Sequence, residues 1–300
     1  MPLAPFWNRA GCPPFDNRQL TIDNSSMPEL PEVETIARQL RKAIVGQRVV
    51  RAELLRKDVL RGNHKIFSRT LCGREIVDVQ RRAKRLIVLL RPEAQLIFHL
   101  GMSGRILVVE KHTPVEKHTH LRLSLGKKGM ELRFVDPRRF GGIWLVTDGQ
   151  QATGRGMGAV GPEPLTLRIS DFRVILHRRT QIKSLLMDQR RIAGLGNIYC
   201  CEALHRAGIH PLTPAHSIDA LPAARLLREI KSVLRHAIQF EGSTYMNYRG
   251  ANGEPGSFQR YHRVYQRENE PCPACQTPIA RIVTSGRSTF FCPKCQALAS

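Results

Sequence analysis

Four cysteines near the carboxy end of the chain form two pairs, Cys272-x-x-Cys275 and, after a gap of 16 residues, Cys292-x-x-Cys295. Each pair offers two thiolates from one tight turn, and two pairs at this spacing complete the tetrahedron of a structural zinc site. With all four positions filled by protein, such an ion shapes a hairpin and leaves no open position for a substrate. Two pairs of reduced thiols, or a redox CxxC, are the alternatives. The other cysteines, Cys12, Cys72, Cys200 and Cys201, show no framework, which suits a reducing compartment. Between the pairs, SGRSTFF sets Arg287 at the expected hairpin tip, where an arginine reaches a nucleic-acid groove or is simply a solvated charge.

A second centre of chemistry lies at SSMPELPEVET, residues 25 to 35, with Glu29, Glu32 and Glu34 at the mouth of an amphipathic stretch. If translation starts at Met27 and that methionine is removed, Pro28 carries a free secondary amine. An α-amine titrates near ~8, so a usable fraction is an unprotonated nucleophile at neutral pH. Condensed with a sugar aldehyde carbon it becomes an iminium, an electron sink. Glu29 is then placed to move protons during attack. The plainer reading is that proline and the acids start a helix and complement its dipole.

Weaker candidates follow. QRRAKR, 80 to 85, reads as a solvated strand end or as Lys84 among phosphate contacts; DPRRF, 136 to 140, is either an ordinary turn or a wedge that fills the gap left by an extruded nucleotide. Met102 in HLGMSG could share that wedge or be core. In AGLGNIY, backbone amides and Asn197 at a helix start make an anion site or a plain capped turn. His118 and His120 would share one face of a strand, with Glu116 a possible third metal ligand; a phosphate contact from the histidine fits better.

These groups need rigid elements to hold them. Apolar residues at 33, 36, 37, 40 and 44 predict a helix from Val33 to Ile44, stopped at Gly46. RVVRAEL, REIVDVQ, RLIVLLR, AQLIFHL, GRILVVE, HLRLSL and MELRFVD alternate or are β-branched, and GKKG is a hairpin signal, so residues 47 to 148 read as mostly antiparallel sheet. GQQATGRGMGAVGPEPL, glycine-rich with little to pack, predicts a linker. Helices are expected at 169 to 178, 181 to 192, 198 to 207 and 219 to 240. The resulting fold class is α+β in two domains: an extension at 1–26, disordered or a misassigned start, a β-sandwich with flanking helices at 28–148, a linker at 149–164, a helical domain at 165–260 and a zinc finger at 261–297.

The 300 residues carry 47 Lys and Arg against 25 Asp and Glu, a net +22, which calls for a polyanionic partner, nucleic acid before an anionic membrane. No window reaches the length of a membrane span, and residues 1 to 26 lack the patterns of secretory and transit signals.

Taken together, MPELPEVET, QRRAK, HLGMSG, EKHTH, DPRRFGG, VGPEPL, IKSLLMDQ, GLGNIY, GIHP, GEPGSF and GRSTFFCPKC resemble the bacterial formamidopyrimidine-DNA glycosylases, over residues 27 to about 296. The PELPEVE opening is closer to that branch than to the related endonuclease VIII type. The resemblance implies a bifunctional glycosylase and abasic-site lyase of base excision repair, acting on formamidopyrimidines and 8-oxoguanine in double-stranded DNA held between the domains. It assigns the nucleophile to Pro28, proton donation in base release to Glu29, β-elimination to Lys84 and δ-elimination to Arg287. His118, Arg138, Arg178 and Asn197 would contact DNA, with a helix-two-turn-helix element around Asn197. Met102, Arg139 and Phe140 would fill the void, and the loop from Gly242 to Phe258 would close over the base. It further implies one zinc ion, a monomer and a bacterial cytoplasmic location. Two departures stand out: Cys200-Cys201 where a small and then a polar residue are usual, and VYQRENEPC without two customary glycines. A third is the 26-residue extension, which makes the Pro28 nitrogen an amide unless translation begins at Met27 and that methionine is removed. A pyrimidine-preferring relative and a non-catalytic zinc-dependent DNA-binding protein are the rival readings.

Overall fold

The computed structural model describes residues 27–126, 129–147, 158–244 and 250–298. The 1–26 extension, the centre of the GKKG turn, most of the glycine-rich linker and part of the Gly242–Phe258 loop lie outside the described residues.

Helix α1 (Leu30–Ile44) starts earlier than the apolar stripe alone predicts, because Pro31 is tolerated in the first turn, where its missing N–H has no helical partner to lose. The seven expected extended segments form β1 (Val49–Leu54), β2 (Glu75–Arg82), β3 (Arg85–Arg91), β4 (Ala94–His99), β5 (Arg105–Glu110), β6 (Thr119–Leu125) and β7 (Met130–Val135). Three further elements emerge in this stretch, one of them a short 3-10 helix at Lys57–Val59. Strand β8 (Gly142–Thr147) edges a sheet, and helix α2 (His64–Leu71) interrupts the strand pattern. The α2 signal was present: Asn63 caps it by accepting from the Lys65 N–H at 3.0 Å, and Phe67 and Leu71, four apart, are its buried face.

The strands pair antiparallel in two four-stranded sheets, ordered β1-β6-β7-β5 and β2-β3-β4-β8. Phe98 of β4 and Phe134 of β7 meet across the sandwich with ring centroids 5.9 Å apart. The α1 stripe of Val33, Ile36, Ala37, Leu40 and Ile44 completes that core, but Leu30, one turn earlier, belongs to a second core formed by the helical half. Helix α1 therefore spans both halves.

The second core is built from α3 (Ile169–Leu176), α4 (Ile182–Met187), α5 (Asn197–Ala207) and α6 (Ala220–Gln239). Helix α4 is much shorter than the expected 181 to 192. Asp188 accepts from the Arg190 N–H at 3.0 Å and so replaces the next helical turn with a side-chain-stabilised one. Strands β9 (Ala280–Thr284) and β10 (Arg287–Phe291) form the terminal hairpin, and its Phe290, Cys272 and Cys292 are buried in the helical core. In the VYQRENEPC run, Gln266 and Asn269 adopt left-handed backbone, with φ of 58° and 65°, a conformation that glycine would hold without strain. Cys200 and Cys201 are buried in α5, where they act as small apolar side chains. Among the described residues no helix is long and apolar enough to cross a membrane.

Candidate active site in the interdomain cleft

The site begins at the first turn of α1. Pro28 is buried, and Glu32 reaches back to accept from the Glu29 N–H at 2.9 Å, fixing the peptide that joins Pro28 to Glu29. Glu32 is itself held by the Tyr199 hydroxyl and by the Ser243 N–H at 2.7 Å, so the opening of α1 is tied to α5 and to the stem of the 242–258 loop. The Glu29 side chain, at the N-cap of α1, also reaches the start of α5, where the Ile198 N–H donates to Oε1 at 3.1 Å. Its Oε2 is buried with no hydrogen-bond partner among the described residues. Burial pushes the Glu29 carboxyl up to about 7, against the opposing pull of the Lys84 charge. A carboxyl at that value can both give and take a proton near neutrality.

Gly196 makes this crowding possible. A Cβ there would lie 2.3 Å from Glu29 Cδ and 2.7 Å from Lys84 Nζ. Lys84 sits in a two-residue turn between β2 and β3, whose last pair is Arg82 with Arg85, and Ala83 takes a left-handed φ of 54°. The turn is bolted to the other half of the molecule. Glu163 accepts from the Ala83 N–H and from Arg82 through Oε1, and from Arg81 through Oε2, each at 2.8 Å. QRRAK is thus not a solvated strand end, and the VGPEPL stretch is not slack.

Arg287 enters from the zinc hairpin. Ser285 and Gly286 form the two-residue turn with φ of 49° and 70°, as a tight antiparallel hairpin requires, and Arg287 stands exposed beside it. The buried Lys183 of α4 donates to Thr289 Oγ1 at 2.5 Å, and Ser184 bonds Ser285 at 3.1 Å, so α4 sets the direction of the tip. At the hairpin base the Sγ atoms of Cys272, Cys275, Cys292 and Cys295 lie within 4.8 Å of one another, with Cys275 to Cys292 and Cys275 to Cys295 both 3.4 Å. A zinc tetrahedron with ~2.3 Å bonds has sulfur–sulfur edges of ~3.8 Å, which these four thiolates fit. They hold one structural zinc ion.

A cavity of about 440 Å³ brings Glu29, Lys84, Met102, Asn197 and Arg287 together, residues from both halves of the chain. Its walls include His99 and Tyr265, and burial together with Arg85 and Lys84 holds the His99 imidazole down to about 4, neutral at physiological pH. Beside the mouth, the DPRRF turn is rigid. The buried Asp136 carboxylate accepts from Ser103 Oγ at 2.5 Å and from the Gly141 N–H at 2.8 Å. Arg138 lies over the Phe140 ring at 4.7 Å, Phe140 is 55% exposed, and Arg139 has a left-handed φ of 57°. Arg178 is exposed near Arg179 and Arg191, beyond α3.

Two expectations change. His118 and His120 do not share a strand face: His118 precedes β6 in a left-handed turn and is exposed, whereas His120 is buried with Nε2 2.8 Å from the Asp136 carbonyl. The start of α5 is not an open anion site, because Glu29 occupies the Ile198 amide and Asn197 Nδ2 donates to the Ser288 carbonyl at 2.8 Å, tying the helix to the finger. Sequence reasoning also missed Glu163, Lys183, His99 and Gly196 as site residues. A lysine amid the apolar run of IKSLLM was the one readable signal among them.

Comparison with known proteins matches this arrangement. The formamidopyrimidine-DNA glycosylase N-terminal domain profile covers residues 27–143, the helix-two-turn-helix domain profile of the same enzymes covers 160–248, and the zinc finger found in these glycosylases and in isoleucyl-tRNA synthetase covers 269–298. The chain belongs to the formamidopyrimidine-DNA glycosylase family. The Herpetosiphon aurantiacus member is 44% identical over 90% of this chain and 100% of its own length, and that of Desulforamulus reducens 41% over 90% and 99%. The crystal structure of the Thermus thermophilus protein superposes with a TM-score of 0.80 at 40% identity, covering 91% of this chain and 100% of that one. That of the Lactococcus lactis glycosylase bound to abasic-site DNA gives 0.84 at 34%, with 90% and 100% covered. This family member is accordingly a DNA glycosylase and abasic-site lyase acting on damaged DNA.

Proposed function

We propose that the protein excises oxidised purines, formamidopyrimidines and 8-oxoguanine, through a Schiff base on Pro28 and then cleaves the strand by β,δ-elimination. The observation that carries this reading is the single cleft in which Glu29, Lys84 and Arg287, far apart in sequence, converge beside the Pro28–Glu29 peptide. The Pro28 nitrogen attacks C1′ of the lesion nucleotide, the glycosidic bond breaks, and the protonated Glu29 carboxyl, at about 7, supplies the proton the departing base needs. The ring opens to an iminium, which acidifies C2′; loss of that proton expels the 3′ phosphate, and the same logic at C4′ expels the 5′ phosphate. Lys84 serves the first elimination and Arg287 the second. The zinc ion is structural and fixes the arginine's hairpin.

His118, Arg138 and Arg178 grip DNA, while Met102, Arg139 and Phe140 fill the void and Asn197 holds α5 to the finger. The +22 charge supplies a salt-sensitive, sequence-independent hold. Solved relatives at 34% identity bind Fapy-dG DNA and carbocyclic 8-oxo-G DNA, which supports the lesion class. The enzyme works as a monomer in the bacterial cytoplasm. The chemistry requires a free Pro28 amine, and the family profile begins at residue 27. Borohydride trapping on an 8-oxoguanine duplex tests this. A chain that begins at Pro28 forms the covalent adduct, and the same chain with residues 1–27 attached does not. Equal trapping of both forms refutes the proline mechanism.

A further inference from the structure

We propose that Glu163 is a positioning residue for Lys84, clamping the turn that presents the lysine against the helical half of the molecule. The inference rests on the assignment of Lys84 given above. Three donors converge on one carboxylate: the Ala83 N–H and Arg82 on Oε1, and Arg81 on Oε2, each at 2.8 Å. Of these, the Ala83 N–H decides the matter, because it belongs to the residue next to Lys84. Ala83 has a left-handed φ of 54°. A non-glycine residue holds that conformation only where its surroundings over-determine it. Arg81 is further occupied by Glu34 of α1 at 2.9 Å and by the Ala83 carbonyl at 3.1 Å, so both peptide groups of Ala83 are held.

The carboxylate itself is anchored in the helical half. Arg82 donates to the Gly161 carbonyl at 2.6 Å, Gly161 donates to the Gln189 carbonyl at 2.8 Å, and the Ala193 N–H donates to the Pro162 carbonyl at 3.0 Å. A Cβ on Gly161 would lie 2.5 Å from the Arg191 backbone, so the strap lies flat on the loop that leads into α5. That same loop carries Gly196, against which Lys84 and Glu29 close. Glu163 thus joins the lysine's turn to the segment that forms the opposite wall of the site. A residue serving only to staple two domains would have no reason to grip the backbone of the turn.

The test uses Glu163→Ala, Glu163→Gln and Glu163→Asp, each with and without Lys84→Ala, in the zinc-loaded protein starting at Pro28. Strand cleavage is measured on DNA with a preformed abasic site, and base release on an 8-oxoguanine duplex across pH. Glu163→Gln keeps an oxygen for the Ala83 N–H and guards against a variant that fails to fold. Misplacing a catalytic group by about an ångström costs on the order of 100-fold. Glu163→Ala should slow strand cleavage by roughly 10- to 100-fold, Glu163→Gln less, and Glu163→Asp should recover part of the loss. Because the Lys84 charge favours ionised Glu29, releasing the lysine should also move the pH limb of base release upward, a change that general destabilisation would not produce. In the Lys84→Ala background the Glu163 changes should add nothing. Loss by the same factor with and without Lys84, or no loss in Glu163→Ala, overturns the positioning role. A Lys84→Ala protein that cleaves normally would instead remove the assignment of Lys84 on which it stands.

Discussion

Replacing Glu29 by Gln should make the protein more stable at pH 8 while leaving it unable to release a base. The Glu29 carboxyl is buried, and its pKa rises from 4.5 to about 7. Each unit corresponds to 1.36 kcal/mol of preference for the protonated form, so ionising this group in the folded state costs about 3 kcal/mol relative to the unfolded chain. The sign follows from the direction of the shift. The folded state holds the proton more tightly, so the contribution is fully present below pH 4.5, declines as pH rises through the interval to about 7, and is absent above it. Glutamine is an isostere of the protonated acid: its oxygen still accepts from the Ile198 N–H, and its amide occupies the place of Oε2, which has no partner among the described residues to lose. Urea unfolding of both proteins with zinc bound, followed by intrinsic fluorescence, should show the variant ahead by about 3 kcal/mol at pH 8 and within about 1 kcal/mol at pH 5. A variant that is equal or weaker at pH 8, or a difference that does not change with pH, would show that burial does not hold this carboxyl neutral. The proton donor would then have to be sought elsewhere.

Two further outcomes follow from the same geometry. Gly196→Ala places a methyl group 2.3 Å from Glu29 Cδ and 2.7 Å from Lys84 Nζ. Both neighbours are the ends of flexible side chains, so the fold should lose only about 1–2 kcal/mol, while base release falls by on the order of 100-fold; comparing unfolding curves with single-turnover excision separates the two effects. Stripping the zinc with a chelator should release one ion per chain, quantified with a zinc-responsive dye, and should abolish strand cleavage because the hairpin that aims Arg287 closes on Cys272, Cys275, Cys292 and Cys295. Full cleavage by zinc-free protein would contradict the role given to that hairpin.

Residue type and spacing were sufficient to read the four-cysteine site, the amphipathic α1 and the seven alternating strands β1 to β7, because each depends on local periodicity or on chemistry within one short segment. The same holds for Arg287 at a hairpin tip, since Ser285-Gly286 can hardly be anything but a turn. Two failures were local, where a short side-chain signal was masked by the periodicity around it; the others lay in side chains that act at a distance. Asp188 ends α4 early by capping its own turn, and Phe67 with Leu71 makes α2 from a segment whose surroundings alternate. Glu29 looks from sequence like a helix-opening acid complementing its own dipole; only the tertiary structure turns it onto the start of α5 and buries it there. Glu163 and Gly196 carry no local signature, since a glutamate before proline and a glycine before a helix are common, and Lys183 in its apolar run gives only a hint without a partner. Their roles exist only once two hydrophobic cores bring residues separated by 80 to 110 positions into contact, as the pairs Glu163–Ala83 and Lys183–Thr289 show. Local composition dictates which elements form; the positions of charged groups in a low-dielectric cleft are set by how those elements pack.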